Sequence, residues 1–237
     1  MSNPMSAPSQ QTFGAEGAQT EQIAAFLRKV YGWMSLGLAL TALVAFGTAS
    51  SPTVSQAVLG NRLIFFGIII AELALVWYLS ARVSQLSPAT AVTLFLLYSA
   101  LNGVTLSVIL LSFTEASVAN AFITTSVMFG ALAVYGSVTK RSLAGVGQFA
   151  FMGLIGVVVA SIVGIFWQNS MLQFVVSVAG VVVFTGLTMW DAQRLKSMAL
   201  QLEGGPAAAD AIVGALALYL DFINLFLFVL RLFGRRR

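Results

Sequence analysis

The chain has 237 residues, of which 59% are hydrophobic and 8% are charged, with a formal net charge of +4. Ordinary soluble domains are about half apolar and about a quarter charged, so one compact core could not hide this much apolar surface from water. The mean hydropathy of +0.93 therefore excludes a soluble enzyme and indicates a membrane protein.

The chain contains no cysteine and no histidine. Their absence removes thiolate nucleophiles, disulfides, imidazole bases and the usual zinc and haem ligands. We therefore expect neither an enzyme nor a bound cofactor. The twelve Lys and Arg residues are scattered apart from three at the C-terminus, so they predict no nucleic-acid-binding surface, and they bear on membrane topology instead.

The N-terminal segment is rich in Ser, Gln, Ala, Gly and Pro and lacks both basic residues and an apolar run. This composition is typical of a disordered tail, and no cleavable signal peptide is visible. We expect a disordered tail over residues 1–24 and a transmembrane domain over residues 25–237.

Seven apolar runs follow, each long enough to cross about 30 Å of hydrocarbon, which takes about 20 helical residues. Helices are expected because the runs lack the alternation of barrel strands and lipid offers no partners to the backbone. The runs lie at Val30–Ala49, Leu63–Ser80, Ala89–Ser112, Val118–Val138, Val146–Trp167, Leu172–Trp190 and Ala211–Phe233. The sequence therefore predicts an all-α bundle of seven transmembrane helices.

Basic residues near the ends of the runs predict the orientation, because positively charged loops stay in the cytoplasm. A cytoplasmic N-terminus leaves Arg62 outside but puts most of the basic residues inside. These are Arg28, Lys29, Arg82, Lys140, Arg141, Arg194 and Lys196. The basic C-terminus would then lie outside after seven crossings, and a re-entrant last segment is the alternative that would return it to the cytoplasm. The length of the unbroken last run favours seven crossings.

Three acids lie within the runs, where a carboxylate costs about 3 kcal/mol even on a lenient insertion scale. They are Glu72, Asp191 and Asp221. Asp221 shares one helical face with small residues on one side and polar residues on the other, which indicates a helix inside the bundle. That face consists of Gly214, Ala217, Asp221, Asn224, Phe228 and Arg231.

The spacing alone leaves the roles of these acids open. Asp191 closes the sixth run near the expected cytoplasmic surface, either as a solvated helix end beside Arg194 or as a partner of Asp221. If the two aspartates meet, they would share one proton, which makes a natural pH sensor. Asp221 could instead be a buried polar anchor. Glu72 is as easily structural as functional, and so is the polar face that includes Asn102.

Four segments resemble the Bax inhibitor-1 family, and specifically its bacterial inner-membrane members. They are VYGWMSLGLALTA, LLYSALNGVTLS, TGLTMWDAQRLK and LYLDFINLFLFVLRLFG, and the similarity runs from about Leu27 to Arg237. The resemblance implies seven helices, with the last one central and wrapped by two groups of three. It also implies a pH-sensitive calcium leak in which Asp191 and Asp221 form a hydrogen-bonded pair that gates the pore and binds calcium weakly and transiently.

The resemblance also suggests supporting residues and partners. Arg82 is a candidate for an arginine that latches onto the aspartate pair in some members, while Asn224 could add an oxygen ligand for calcium. The expected partners are the lipid bilayer, calcium ions and protons. Some bacterial relatives are instead partners or inhibitors of a membrane-bound ATP-dependent protease.

Two further alternatives remain open on the sequence. A proton-coupled calcium exchanger would use the same pair of acids but would move calcium uphill. An intramembrane aspartyl protease is disfavoured because Asp221 follows Ala217-Leu218-Tyr219-Leu220 and not the Gly-x-Gly sequence of those enzymes.

Overall fold

A computed structural model describes residues 9–82, 85–167, 169–201 and 208–237. The described chain forms eight helices: α1 (Ser9–Ser50), α2 (Pro52–Leu59), α3 (Arg62–Arg82), α4 (Pro88–Ser112), α5 (Glu115–Val138), α6 (Ala144–Phe166), α7 (Ser170–Gln201) and α8 (Ala208–Phe233). All except the short α2 are long and apolar enough to cross a membrane. The prediction of an all-α, seven-span membrane protein is therefore confirmed.

The first helix begins well before the first apolar run. It starts at Ser9, within the segment expected to be disordered, while its membrane-spanning part begins at Gln19. This segment contains Ala, Gln and Glu, which are good helix formers. It can continue the membrane-spanning helix at little cost, because only the first turn of a helix is unfavourable to form. Residues 1–8 of the expected tail lie outside the described residues.

The last helix, α8, is the centre of the bundle. It packs against α1, α4, α5 and α7. Of the residues in its most apolar stretch, 72% are buried. Around it, α1, α3 and α4 form one group, since α4 packs on both of the others, and α5, α6 and α7 form a second group around α7. The arrangement matches the architecture that the family resemblance implies.

Short polar breaks begin new helices by side-chain capping. Ser51 and Ser87 each stand directly before a proline, and each accepts a hydrogen bond from a backbone N–H at the helix start. Asn169 does the same at the start of α7, where its Oδ1 accepts from Met171 N at 2.8 Å. These caps satisfy amide groups that have no partner within the helix. The first cap also begins α2, which was not predicted.

The C-terminal tail is held against the loop between α4 and α5. Phe113 and Arg236 form an isolated antiparallel bridge, with Thr114 N donating to the carbonyl of Arg235 at 3.0 Å. Arg237 Nη2 lies 3.2 Å from Glu115 Oε1. The helix α8 therefore runs along the bundle as one unbroken helix and ends beside the start of α5, which favours a full crossing over a re-entrant last segment.

Candidate functional site

The structure brings the side chains of Asp191 on α7 and Asp221 on α8 close enough to interact electrostatically. Both residues are buried, with exposed fractions of 9% for Asp191 and 4% for Asp221. A hydrogen bond between two carboxyl groups requires a proton, because an ionised carboxylate has only acceptors. Two neighbouring buried carboxyl groups do not readily both ionise, because like charges repel each other.

The position of Asp191 within its helix differs from the expectation. Asp191 was predicted to end the sixth run near the cytoplasmic surface, but α7 continues for eleven residues past Trp190 to Gln201. At the helical rise, Asp191 lies about 15 Å along α7 from Gln201, and Asp221 lies about 20 Å along α8 from Ala208. Asp191 is therefore a buried residue within α7 and not a solvated helix end.

Small residues allow α7 and α8 to approach each other on both sides of the pair. A Cβ atom placed on Gly214 would lie 2.5 Å from Leu195 Cδ2. One placed on Gly180 would lie 2.6 Å from the ring of Phe228. A side chain at either position would force its neighbours to move, so these glycines allow the close helix spacing at which the two aspartates lie near each other.

The surroundings of the pair are unequal. Arg194 Nη1 lies 3.9 Å from Asp191 Oδ1, but the Arg194 side chain is 61% exposed, so this ion pair is largely screened by solvent. Asp221 Oδ2 is buried and accepts no hydrogen bond from an amide or hydroxyl donor of the described residues. Among the described residues, no third Asp or Glu joins the pair. The site thus offers two buried carboxyl groups, with a mostly exposed arginine beside Asp191.

The predicted supporting residues do not join the pair. Arg82 donates to Gln85 Oε1 at 3.2 Å on the exposed surface, and the cation beside the pair is Arg194 instead. Asn224 Nδ2 donates to the carbonyl of Leu220 on its own helix at 2.8 Å. The structure therefore shows neither an Arg82 latch nor an Asn224 contact with the aspartates.

Glu72 belongs to a second polar cluster on the opposite side of α8. Thr105 Oγ1 lies 3.0 Å from Glu72 Oε1, which links α3 to α4. One turn away, Asn102 Nδ2 lies 3.5 Å from the hydroxyl of Tyr98, and Asn102 Oδ1 is buried without a partner. Glu72 is thus separated from the aspartate pair by the central helix.

The cluster reaches α8 through Tyr219, a residue that sequence reasoning missed. Its hydroxyl lies 2.6 Å from Thr41 Oγ1 on α1, and Thr41 also donates to the carbonyl of Ser99 at 2.8 Å. Tyr219 is wholly buried, with its ring edge-on to those of Phe95 and Tyr98. The signal in the sequence was its position two residues before Asp221, which places it on another face of the same central helix.

These features define a class: a multi-pass helical membrane protein whose central C-terminal helix carries one of two contacting, buried aspartates. A family model described as "Inhibitor of apoptosis-promoting Bax1" matches residues 23–237, and the chain belongs to the Bax inhibitor-1 family. It is 48% identical over 215 residues to the inner membrane protein YbhL of Escherichia coli K12. The aligned region covers 90% of this chain and 92% of YbhL.

Relatives also occur in distant bacteria. The chain is 42% identical over 214 residues to a protein of Borreliella burgdorferi, covering 90% of this chain and 92% of that one. It is 42% identical over 217 residues to a protein of Deinococcus radiodurans, with coverages of 91% and 93%. In each case the similarity spans nearly the whole of both proteins.

Proposed function

We propose that this protein is a pH-sensitive calcium leak channel of the bacterial inner membrane, with a cytoplasmic N-terminus, and that Asp191 and Asp221 form its gate. The observation that carries the proposal is the contact between the two buried carboxyl groups. They lie on α7 and α8, the central helix and one of its main neighbours. A change in their protonation therefore acts directly on the packing of the central helix.

The electrostatic consequence of removing the shared proton is large. Two unit charges about 4 Å apart at an effective dielectric constant of about 20 repel each other by about 4 kcal/mol. Arg194 offsets part of this repulsion on the Asp191 side only, because it lies 3.9 Å from Asp191 and is mostly exposed. Deprotonation thus favours separation of α7 from α8 at this depth.

Calcium is the transported ion in this proposal and not a resident cofactor. Calcium takes six to eight oxygen ligands in proteins, and the two carboxyl groups supply at most four. Water and backbone carbonyls must provide the others. A site of this kind binds weakly, which suits conduction because an ion that is held tightly does not leave.

Both aspartates are buried, which supports assigning the closed state of the proposed channel to this packing. Flux therefore requires α7 and α8 to move apart. Charged groups at membrane depth are typical of ion pathways, and the family membership is consistent with this role. The proposal makes the protonation state of the pair the variable that controls opening.

The test is calcium flux into dye-loaded proteoliposomes between pH 6 and pH 8. We expect the native protein to conduct with a clear pH dependence, and either Asp191→Asn or Asp221→Asn to flatten it, because each substitution removes one of the two titrating groups. Glu72→Gln is the matched control, since it neutralises an intramembrane acid that lies outside the pair. We expect it to keep the pH dependence of the native protein.

Other results would refute parts of the proposal. Native flux equal to that of empty vesicles at every pH would refute the leak and favour a role as partner of a membrane-bound protease. Calcium accumulation against its gradient when a pH gradient is imposed would indicate an exchanger. If all three variants kept the native pH profile, the aspartate pair would not be the gate.

A further inference from the structure

A cleft of about 660 Å³ opens between α6, α7 and α8 at the end of the bundle where α8 finishes. Its volume falls within the range of about 300–1,000 Å³ that is usual for small-molecule sites. Its back wall is the first half of α7, against which both α6 and α8 pack. Along α8 the cleft reaches from Arg236 inward to Asn224, so its helical part is about 14 Å deep.

The two ends of the cleft differ in chemistry. The walls contain many apolar side chains, with Val157, Leu227 and Phe228 among them and a few polar ones such as Ser177 and Asn224, whereas Arg231 and Arg236 line the mouth. On the α6 side the lining residues Ile162 and Ile165 are also exposed on the outside of the bundle. In a membrane that surface faces hydrocarbon, so the cleft borders the lipid phase.

The two arginines at the mouth lack an acidic partner among the residues that the structure describes. They interact electrostatically with each other, and their nearest aromatic contacts are the rings of Phe228 and Phe113. Within the described ranges, Glu115 is the acid at this end of the bundle, and Arg237 already binds it at 3.2 Å. Two neighbouring guanidinium groups without a carboxylate favour an anionic ligand.

We propose that this cleft binds an anionic phospholipid, with the headgroup phosphate between Arg231 and Arg236 and an acyl chain along the apolar inner walls. Guanidinium groups bind phosphate oxygens through two parallel hydrogen bonds, and basic pockets between transmembrane helices bind acidic lipid headgroups. The apolar part of the cleft selects a lipid over a free anion. The positive mouth also disfavours a calcium ion in the same cleft, so the lipid site is separate from the proposed ion path.

The site also accounts for the basic C-terminus. Four arginines lie within the last seven residues, and under the expected orientation they face away from the cytoplasm, where basic residues are usually scarce. A bound lipid phosphate supplies the negative charge that the described protein lacks at Arg231 and Arg236. The inference concerns lipid binding alone and holds whether or not the protein conducts calcium.

The test uses the full-length protein, purified in detergent and depleted of lipid, with bound lipid measured by native mass spectrometry. The probes are phosphatidylglycerol and phosphatidylcholine with the same acyl chains. We expect clearly tighter binding of phosphatidylglycerol, because only its headgroup carries a net negative charge. Equal binding of the two lipids would overturn the proposal.

Two pairs of substitutions distinguish lipid binding in the cleft from general attraction of the lipid to the basic tail. Arg231→Gln with Arg236→Gln removes the two cleft guanidinium groups, and each is expected to lower the affinity for phosphatidylglycerol about fivefold. Arg235→Gln with Arg237→Gln removes the same charge from the same tail but from residues that do not line the cleft. We expect a much smaller loss for this second pair. Equal losses would show diffuse attraction only and would overturn the proposal.

A third pair of variants tests the apolar part without changing charge. Gly164 lines the cleft, and a Cβ atom added there would meet only Leu172 Cδ2 at 4.0 Å. Gly164→Leu should therefore fold normally and occupy part of the cleft, lowering lipid affinity about four- to fifteenfold by displacing one or two methylene groups. Gly156→Leu is the control, since Gly156 lies on the same helix outside the cleft and has open space around it.

The same spectra distinguish the other occupants. Loss of phosphatidylglycerol on addition of millimolar inorganic phosphate would indicate a free-anion site, and a lipid-free dimer that Gly164→Leu dissociates would indicate a second copy of the chain. Either result would overturn the proposal. The thermal midpoint of each variant, compared with that of the native protein, excludes misfolding as the cause of lost binding.

Discussion

The hydrogen bond between Thr41 and Tyr219 fixes α1 to the central helix, and its contribution to stability can be measured directly. The two oxygens lie 2.6 Å apart, and the exposed fractions of the residues are 3% and 0%. Tyr219→Phe removes only the hydroxyl and keeps the ring contacts with Phe95 and Tyr98. Thr41→Val removes the other hydroxyl and keeps the shape of the side chain.

The expected magnitude follows from the partners that each substitution leaves behind. Thr41 retains the carbonyl of Ser99 as its acceptor when Tyr219 becomes Phe, so the Tyr219 hydroxyl is lost without stranding the Thr41 donor. We expect Tyr219→Phe to lower the free energy of unfolding by about 1 kcal/mol. Hydrogen bonds between transmembrane helices contribute about 0.6 kcal/mol on average and up to about 1.7 kcal/mol. This range sets the coupling free energy expected between Thr41 and Tyr219.

The assay is a double-mutant cycle on the purified protein, unfolded by denaturing detergent in mixed micelles and followed by circular dichroism. A coupling free energy between about 0.6 and 1.7 kcal/mol is expected. Substitutions at independent sites add within about 0.3–0.5 kcal/mol. Additivity within that range would show that the contact does not hold α1 to α8 and would refute the reasoning.

Three other outcomes follow from the geometry. Gly214→Leu should lower the free energy of unfolding in the same detergent assay by about 1–3 kcal/mol, because the glycine already touches Leu195; an unchanged midpoint would contradict the close approach of α7 and α8. Arg194→Gln should leave the pH dependence of calcium flux in place, since its 3.9 Å ion pair is mostly exposed; a flat profile would make Arg194 part of the gate. Arg237→Ala should lower the thermal midpoint little, because exposed ion pairs contribute about 0–1 kcal/mol; a large drop would show that the bond to Glu115 holds the tail.

The seven spans could be located from the sequence because apolar runs of membrane length are rare outside transmembrane helices. The end of α7 was placed too early, since the segment after Trp190 is polar and a hydropathy run stops where a helix need not. The helix α2 was missed, because its eight residues are too few for a periodic signal. The boundaries that failed are those that hydrophobicity does not determine.

The candidate site was only partly accessible to the same reasoning. Asp191 and Asp221 stood out because carboxyl groups are rare in apolar helices, but their contact depends on how far α7 extends and on the glycines that bring α7 and α8 together. The link between Glu72 and Thr105 joins residues 33 positions apart on different helices. Such contacts follow from helix packing, which a single sequence does not reveal.

The attachment of the C-terminal tail to the α4–α5 loop has a mechanical consequence. The tail fixes one end of the central helix through backbone hydrogen bonds from Thr114 and Arg237. If α8 tilts, it pivots about that end, and the displacement of its residues increases toward Ala208. Asp221 lies twelve residues from Phe233, or about 18 Å along the axis. A tilt of about 5° would therefore move Asp221 by about 1.6 Å, enough to break a hydrogen bond while the attached end stays in place.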